Sequence, residues 1–130
     1  MQFTTALLAL VASTASAAVL PRDNQGEWNV QITLGPDVGL LYIHAEFAND
    51  EYNGDDGKLR NTCYQTETPF VQGCDRTTFG FTYDGKVVTL QETLPNGVVV
   101  YGEADFEVTT DIGGGRKRDD IVVPVSRAVV

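Results

Sequence analysis

The sequence predicts an all-β fold, a single-domain antiparallel β-barrel or sandwich of about six to eight strands at 27–130 with one disulfide. Apolar and polar residues alternate with a period of two along several runs, which is typical of strands with one buried face. Gly, Pro, Asn and Asp residues separate these runs and favour tight turns. No run shows the period of an amphipathic helix, so strands and turns account for the body of the 130-residue chain.

The first two strands are predicted at 27–34 and 41–47, with a turn at Gly35-Pro36-Asp37 between them. In the first strand, Trp28 shares one face with every second apolar residue. We therefore expect the indole to lie in the core, because alternate side chains of a strand point to the same face.

The third strand is predicted to be short and to carry Cys63, and it is followed by a predicted loop at 69–73. Two further strands are predicted at 77–83 and 87–93. Asp84-Gly85 is predicted to join them as a two-residue hairpin turn, because both residues tolerate positive φ.

The longest strand is predicted at 98–109, with a bulge or bend at Gly102, since glycine inside a strand has no side chain to pack. The last strand is predicted at 121–129. Pro124 lies within it and cannot donate a ladder hydrogen bond, so it indicates an edge position or a bulge.

The N-terminus is typical of a protein that is secreted and acts extracellularly. Residues 1–17 are predicted to be a signal peptide, with an apolar run at 6–12 and the small-residue cleavage pattern Ala15-Ser16-Ala17. The apolar run is shorter than the ~20 residues of a spanning helix, so no membrane segment is predicted. Residues 18–26 are predicted to form a flexible N-terminal segment or a short propeptide, with Arg22 as a candidate processing site.

The charge balance is strongly acidic. Lys and Arg number 9 against 18 Asp and Glu, which gives a net charge of −9 at pH 7. Phosphate backbones and anionic membranes repel such a surface. Neither nucleic acid nor a membrane is therefore expected as a partner.

Two cysteines, Cys63 and Cys74, lie close together in the sequence. In an oxidising compartment an even number of cysteines predicts a disulfide, and closing a loop of this length contributes about 3 kcal/mol. With His44 as the single histidine, the chain lacks the ligands of a structural zinc site.

The acidic segment from Asn49 to Gly57 is the candidate metal-binding loop. An EF-hand requires Glu at the twelfth position, and that position, counted from Asn49, holds Arg60. We therefore expect a solvated loop between strands, with no metal and no cofactor.

Catalytic candidates are His44 with Glu46 on one strand face, and the carboxylates Glu103, Asp105 and Glu107 on another. A His–Glu dyad needs a nucleophile or a positioned water, and the chain has no nucleophile motif. The three carboxylates follow the alternation of an exposed strand face rather than a sugar cleft. We therefore expect a protein that is not an enzyme.

The basic run Arg116-Lys117-Arg118 follows three glycines. We expect a flexible hairpin loop there, available to contact a partner. The alternative is a dibasic processing site at Lys117 and Arg118 that releases 119–130, a segment whose alternation is typical of a structural strand.

The order of features from Trp28 to Phe106 resembles a family of small secreted fungal β-barrel proteins named for the Alternaria major allergen. The similar features are a Trp-containing first strand, two cysteines separated by ten residues and two short motifs: Phe79-Gly80-Phe81-Thr82-Tyr83 and Val88-Thr89-Leu90-Gln91-Glu92. Allergen-type members carry a second cysteine pair near the C-terminus, which this chain lacks. The resemblance implies a compact β-barrel, a matching Cys63–Cys74 bridge, no known catalytic machinery, and roles in allergenicity, plant-tissue colonisation or elicitation of plant defence.

Together these features predict a small secreted fungal, allergen-, effector- or elicitor-like protein that is not an enzyme. It is expected to bind a host (plant) protein or a small ligand outside the cell. The alternatives are a small secreted hydrolase or inhibitor whose site is scattered in sequence, and a structural protein of the cell wall. The sequence leaves the oligomeric state and the presence of a barrel cavity open.

Overall fold

A computed structural model describes residues 25–36, 39–54 and 56–130. The predicted signal peptide at 1–17 and Arg22 lie outside the described residues, as does most of the predicted segment at 18–26. In the described part the secondary structure is nine β-strands without a helix. Their bounds are β1 Glu27–Leu34, β2 Leu41–Ala48, β3 Leu59–Glu67, β4 Phe70–Cys74, β5 Phe79–Tyr83, β6 Val87–Thr93, β7 Val99–Asp105, β8 Asp111–Gly113 and β9 Arg116–Val129.

The strands form one antiparallel sheet in the order β4-β3-β2-β1-β9-β7-β6-β5, with β8 paired beside β9. The sheet curls into a nearly closed barrel, so the prediction of an all-β barrel is confirmed. The end strands β4 and β5 face each other across a seam. There the Gln72 Nε2 donates to the Phe81 carbonyl oxygen at 3.3 Å, in place of a ladder of backbone bonds.

Side chains fill the barrel interior. The inward residues of β1 and β2 are almost completely inaccessible, and Trp28 packs edge-on against Phe47 with ring centroids 5.2 Å apart. Burying a large apolar side chain stabilises a fold by about 1.5–3 kcal/mol. The disulfide joins Cys63 on β3 to Cys74 on β4, as predicted, and ties this edge strand to the sheet.

The long strand β9 passes from one half of the barrel to the other. Its first part pairs with β1 and its last part with β7, and the β7 register shifts by one residue between Tyr101 and Gly102. A β-carbon on Gly102 would lie 2.6 Å from Cζ3 of Trp28 and 3.0 Å from the Pro124 carbonyl oxygen. The bulge or bend predicted at Gly102 is confirmed by this register shift. Pro124 is paired on one side only, with Glu27 of β1, because the β7 pairing ends at Val125. This is the edge position predicted for Pro124, at the point where β9 changes partner.

Three predicted strand assignments are wrong. The strand that carries Cys63 is not short, because β3 spans nine residues, Leu59–Glu67. Residues 69–73 are not all loop, because 70–74 form β4 and pair with β3. The longest strand is β9 and not 98–109, since β7 ends at Asp105 and the chain then turns away from the ladder. The Phe106 amide still donates to the Lys86 carbonyl oxygen at 2.7 Å, one residue beyond the last β6–β7 pair of Val87 and Asp105.

Two predicted turns are also shifted. The β5–β6 hairpin turns at Gly85-Lys86 rather than Asp84-Gly85, because Gly85 has φ +99° and the Asp84 carboxylate accepts the Lys86 and Val87 amides. The basic run at 116–118 is not a flexible loop. It begins β9, and the reversal before it is made by Gly113, Gly114 and Gly115, all with positive φ.

Candidate functional site

Two tyrosines lie side by side on the outer surface of the barrel. The register of β2 and β3 pairs Tyr42 with Tyr64, and both side chains point outward because their strand neighbours Ile43 and Cys63 are buried. Tyr42 is 45% and Tyr64 is 42% exposed. Cross-strand partners have β-carbons about 4.5–5.5 Å apart, so the two rings form one surface.

Strand β4 extends this surface. Tyr64 pairs with Gly73, and a β-carbon at Gly73 would lie 2.6 Å from Cε1 of Tyr64, so the ring lies across the glycine. Val71, two residues along β4 on the same face, is 41% exposed. We call Tyr42, Tyr64 and Val71 the tyrosine face.

Charged and polar groups border the tyrosine face. On the β1 side, Arg118 Nε donates to Thr33 Oγ1 at 3.1 Å, and Thr33 is paired with Tyr42. Two residues further along β2 and β3, His44 Nδ1 lies 3.3 Å from Thr62 Oγ1. An aromatic centre with a polar border is the usual composition of a protein-binding surface.

The catalytic candidates do not form a catalytic arrangement. His44 and Glu46 share the outer face of β2, but the Glu46 carboxylate accepts from Arg60 Nε at 2.6 Å and lies 3.7 Å from Lys58 Nζ. Glu46 is thus engaged with the next strand, while His44 contacts Thr62. The other candidates, Glu103, Asp105 and Glu107, are exposed.

The candidate metal-binding loop is shaped by hydrogen bonds between the Asn49 side chain and the loop's own backbone. The Asn49 side-chain oxygen accepts the amides of Glu51 and Tyr52 at 2.9 and 2.8 Å, which shapes a local turn. Among the residues that the structure describes, no three His, Cys, Asp or Glu side chains are grouped as metal ligands. In the same part of the chain, no helix is long and apolar enough to cross a membrane.

The candidate processing residues Lys117 and Arg118 lie inside a paired strand. Lys117 is opposite Leu34 of β1 and Asp111 of β8, and Arg118 is opposite Thr33. Both are exposed, but a protease has to open this ladder to bind the chain as an extended substrate.

A concave region lies at the barrel end that carries the β1–β2 and β5–β6 hairpins. It has a volume of about 390 Å³. Leu34, Leu41 and Tyr83 supply its apolar lining, and Glu67 and Lys117 are among its charged residues. This mouth pocket is within the size range of small-ligand sites.

The tyrosine face was not among the sites predicted from sequence. Alternation correctly places Tyr42 outward, but it does not give the register that brings Tyr64 beside it. The signal that was available is a tyrosine at an outward position of each of two strands joined by a polar loop. Searches against protein-family models, curated proteins and solved structures found no match to this chain.

Proposed function

We propose that this chain is a small secreted fungal protein, effector-, elicitor- or allergen-like and not an enzyme, that binds a host (plant) protein outside the cell through its tyrosine face. The observation that carries the proposal is the exposed Tyr42–Tyr64 pair on neighbouring strands of a packed barrel. Grouped exposed aromatic side chains on a soluble protein are typical of interaction sites.

Tyrosine suits this role physically. Its ring supplies a large apolar contact area and its hydroxyl supplies a hydrogen bond at the boundary with water. Because Tyr64 rests across Gly73 and both tyrosines stand on paired strands, little side-chain freedom is lost on binding. The net charge of −9 favours encounter with a basic partner.

The second candidate function is binding of a small ligand, which the mouth pocket favours. Its apolar lining and charged rim suit an amphipathic molecule. The barrel interior beneath it is filled by side chains, so such a ligand binds at the end of the barrel and not inside it.

The test is capture of proteins from plant extracellular fluid on immobilised protein beginning at residue 18. The variant Tyr42→Ser/Tyr64→Ser is compared with the wild type and with Tyr101→Ser. Tyr101 is the matched control because it lies on the outer surface of β7, with Arg127 over its ring at 4.1 Å. Circular dichroism establishes that each variant is folded before capture.

We expect a protein captured by the wild type and by Tyr101→Ser and lost by the double variant. Equal capture by all three contradicts the tyrosine face as the binding surface. No capture by the folded wild type contradicts binding of a host protein from this fluid and leaves the small-ligand function.

A further inference from the structure

A carboxyl group lies inside the barrel, away from the surface of the proposed function. Glu92 on β6 is completely inaccessible to solvent. Its Oε1 accepts a hydrogen bond from Trp28 Nε1 on β1 at 3.0 Å and another from Asn61 Nδ2 on β3 at 3.1 Å. These bonds cross the interior near the seam, because β3 and β6 lie on opposite sides of the β4 and β5 edges.

Two buried oxygen atoms of this group lack a partner among the described residues. They are Glu92 Oε2 and Asn61 Oδ1. The orientation of the Asn61 amide is fixed, because its Nδ2 also donates to the Ala45 carbonyl oxygen at 3.2 Å and a flip would bring acceptors together. If Glu92 is ionised, both orphan atoms are acceptors, and each costs free energy in the interior.

A single proton on Glu92 can satisfy both of these unpartnered oxygen atoms. A neutral carboxylic acid with its hydrogen on Oε2 becomes a donor, and Asn61 Oδ1 is the acceptor on the amide to which Glu92 is already bonded. Since Asn61 Nδ2 already donates to Glu92 Oε1 at 3.1 Å, this second bond would pair the acid and the amide through both of their ends. No cation neutralises an ionised form directly, since no Lys or Arg nitrogen in the described part of the chain lies within 4.0 Å of Glu92.

The surroundings of Glu92 favour the neutral form. Burial raises its pKa above the ordinary value of 4.5, while the bonds from Trp28 and Asn61 and the charge of Arg76 act in the opposite direction. Arg76 lies in the β4–β5 connection. The residues facing Glu92 from β1, β3, β5 and β7 do not titrate: Trp28, Asn61, Phe79 and Val100. The other ionisable side chains at inward strand positions lie toward the opposite end of the barrel. Tyr83, Glu67 and Lys117 line the mouth pocket, and Asp119 is paired with Ile32, four residues along β1 from Trp28.

We propose that Glu92 is a neutral carboxylic acid in the folded protein well above the pH at which an exposed glutamate ionises, and that its proton, shared with Asn61, holds the barrel closed across the β4–β5 seam. The seam has few other bonds, the Gln72 to Phe81 contact being one of them. Deprotonation leaves Glu92 Oε2 and Asn61 Oδ1 as buried acceptors without a donor. The inference goes beyond the proposed binding function, because it makes the closure of the barrel depend on pH.

The sign of the pH dependence follows from linkage. The folded state binds a proton that the unfolded chain has already released, so stability is fully present below the unfolded pKa and is lost as pH rises through the folded pKa. Between the pKa of Glu92 in the unfolded chain and its pKa in the folded protein, the unfolding equilibrium constant rises by up to about tenfold per pH unit for one proton.

The test compares urea unfolding of the disulfide-intact wild type, Glu92→Gln and Glu103→Gln from about pH 4 to about pH 9. In Glu92→Gln the new Nε2 donates to Asn61 Oδ1 as the acid proton does, while Oε1 still accepts from Trp28. We expect the wild type and Glu103→Gln, which lacks an exposed carboxyl, to lose stability with rising pH. In Glu92→Gln the free energy of unfolding is expected to lack this one-proton dependence on pH. Glu92→Gln is therefore expected to be more stable than the other two proteins at the alkaline end of the pH range.

The same pH dependence in all three proteins overturns the proposal. If Glu92→Gln does not fold, the side-chain carboxyl carbon of Glu92 is followed by NMR in the wild type alone. A titration midpoint well above that of the exposed glutamates supports the protonated pair, and a midpoint at the ordinary value refutes it.

Discussion

Replacement of Trp28 by alanine tests the packing of the barrel most severely. The indole is fully buried, lies edge-on to Phe47 at 5.2 Å and donates to Glu92 at 3.0 Å. Truncating a buried Trp costs about 3–5 kcal/mol, and the lost hydrogen bond adds about 1 kcal/mol. The expected loss is therefore about 4–6 kcal/mol, comparable with the whole stability of a small domain.

The loss is measured by urea unfolding monitored by far-UV circular dichroism, because Trp28 is the only tryptophan and the tryptophan fluorescence signal is lost with it. Trp28→Phe keeps an aromatic ring and is expected to lose about 1–3 kcal/mol. Tyr64→Ala is the control for removing an exposed aromatic side chain and is expected to stay within about 1 kcal/mol of the wild type. If Trp28→Ala loses no more than Tyr64→Ala, the reasoning about the core is refuted.

Three further perturbations probe the fold. The double variant Cys63→Ser/Cys74→Ser removes the bond between β3 and β4 and is expected to lose about 3 kcal/mol in thermal unfolding; an unchanged melting temperature contradicts this. Gly102→Ala places a β-carbon 2.6 Å from the Trp28 ring and is expected to lower the free energy of unfolding by about 1–3 kcal/mol. Gly80→Ala is the control, because a β-carbon there meets open space. Equal losses in the two variants contradict the close approach of Gly102 to Trp28. The pKa of Asp119 is lowered because its carboxylate accepts hydrogen bonds from the Thr110 hydroxyl and from the Thr109 and Thr110 amides. The contribution of these bonds to folding stability is therefore lost as pH falls through the lowered pKa. In NMR we expect the two amide signals to move at a pH below the ordinary range for Asp, and Asp119→Asn to abolish the movement; a midpoint at the ordinary value contradicts it.

Much of the fold could be predicted because alternation fixes which side of a strand is buried. Trp28 was placed in the core in this way, Gly102 correctly marked the bulge, and Pro124 marked the point where β9 is paired on one side only. Strand β4 was missed because Phe70-Val71-Gln72-Gly73 has too short a pattern, and its pairing depends on the distant partner strand β3.

The sites were harder to predict, because they depend on register and on contacts between distant residues. Tyr42 and Tyr64 meet only when β2 and β3 pair in one particular register. Glu92 follows the inward alternation of β6, but a buried carboxyl is stable only with partners. Those partners, Trp28 and Asn61, are 64 and 31 residues away in sequence.

The tyrosine face as a recognition surface is tested most directly by NMR mapping of the complex with a host protein purified by the capture experiment. Amide signals of the ¹⁵N-labelled wild-type chain are compared with and without the partner. We predict the largest changes at Tyr42, Tyr64 and Val71, with those around Tyr101 unchanged. Changes confined to the mouth pocket, or to His44 and Glu46, would contradict the account.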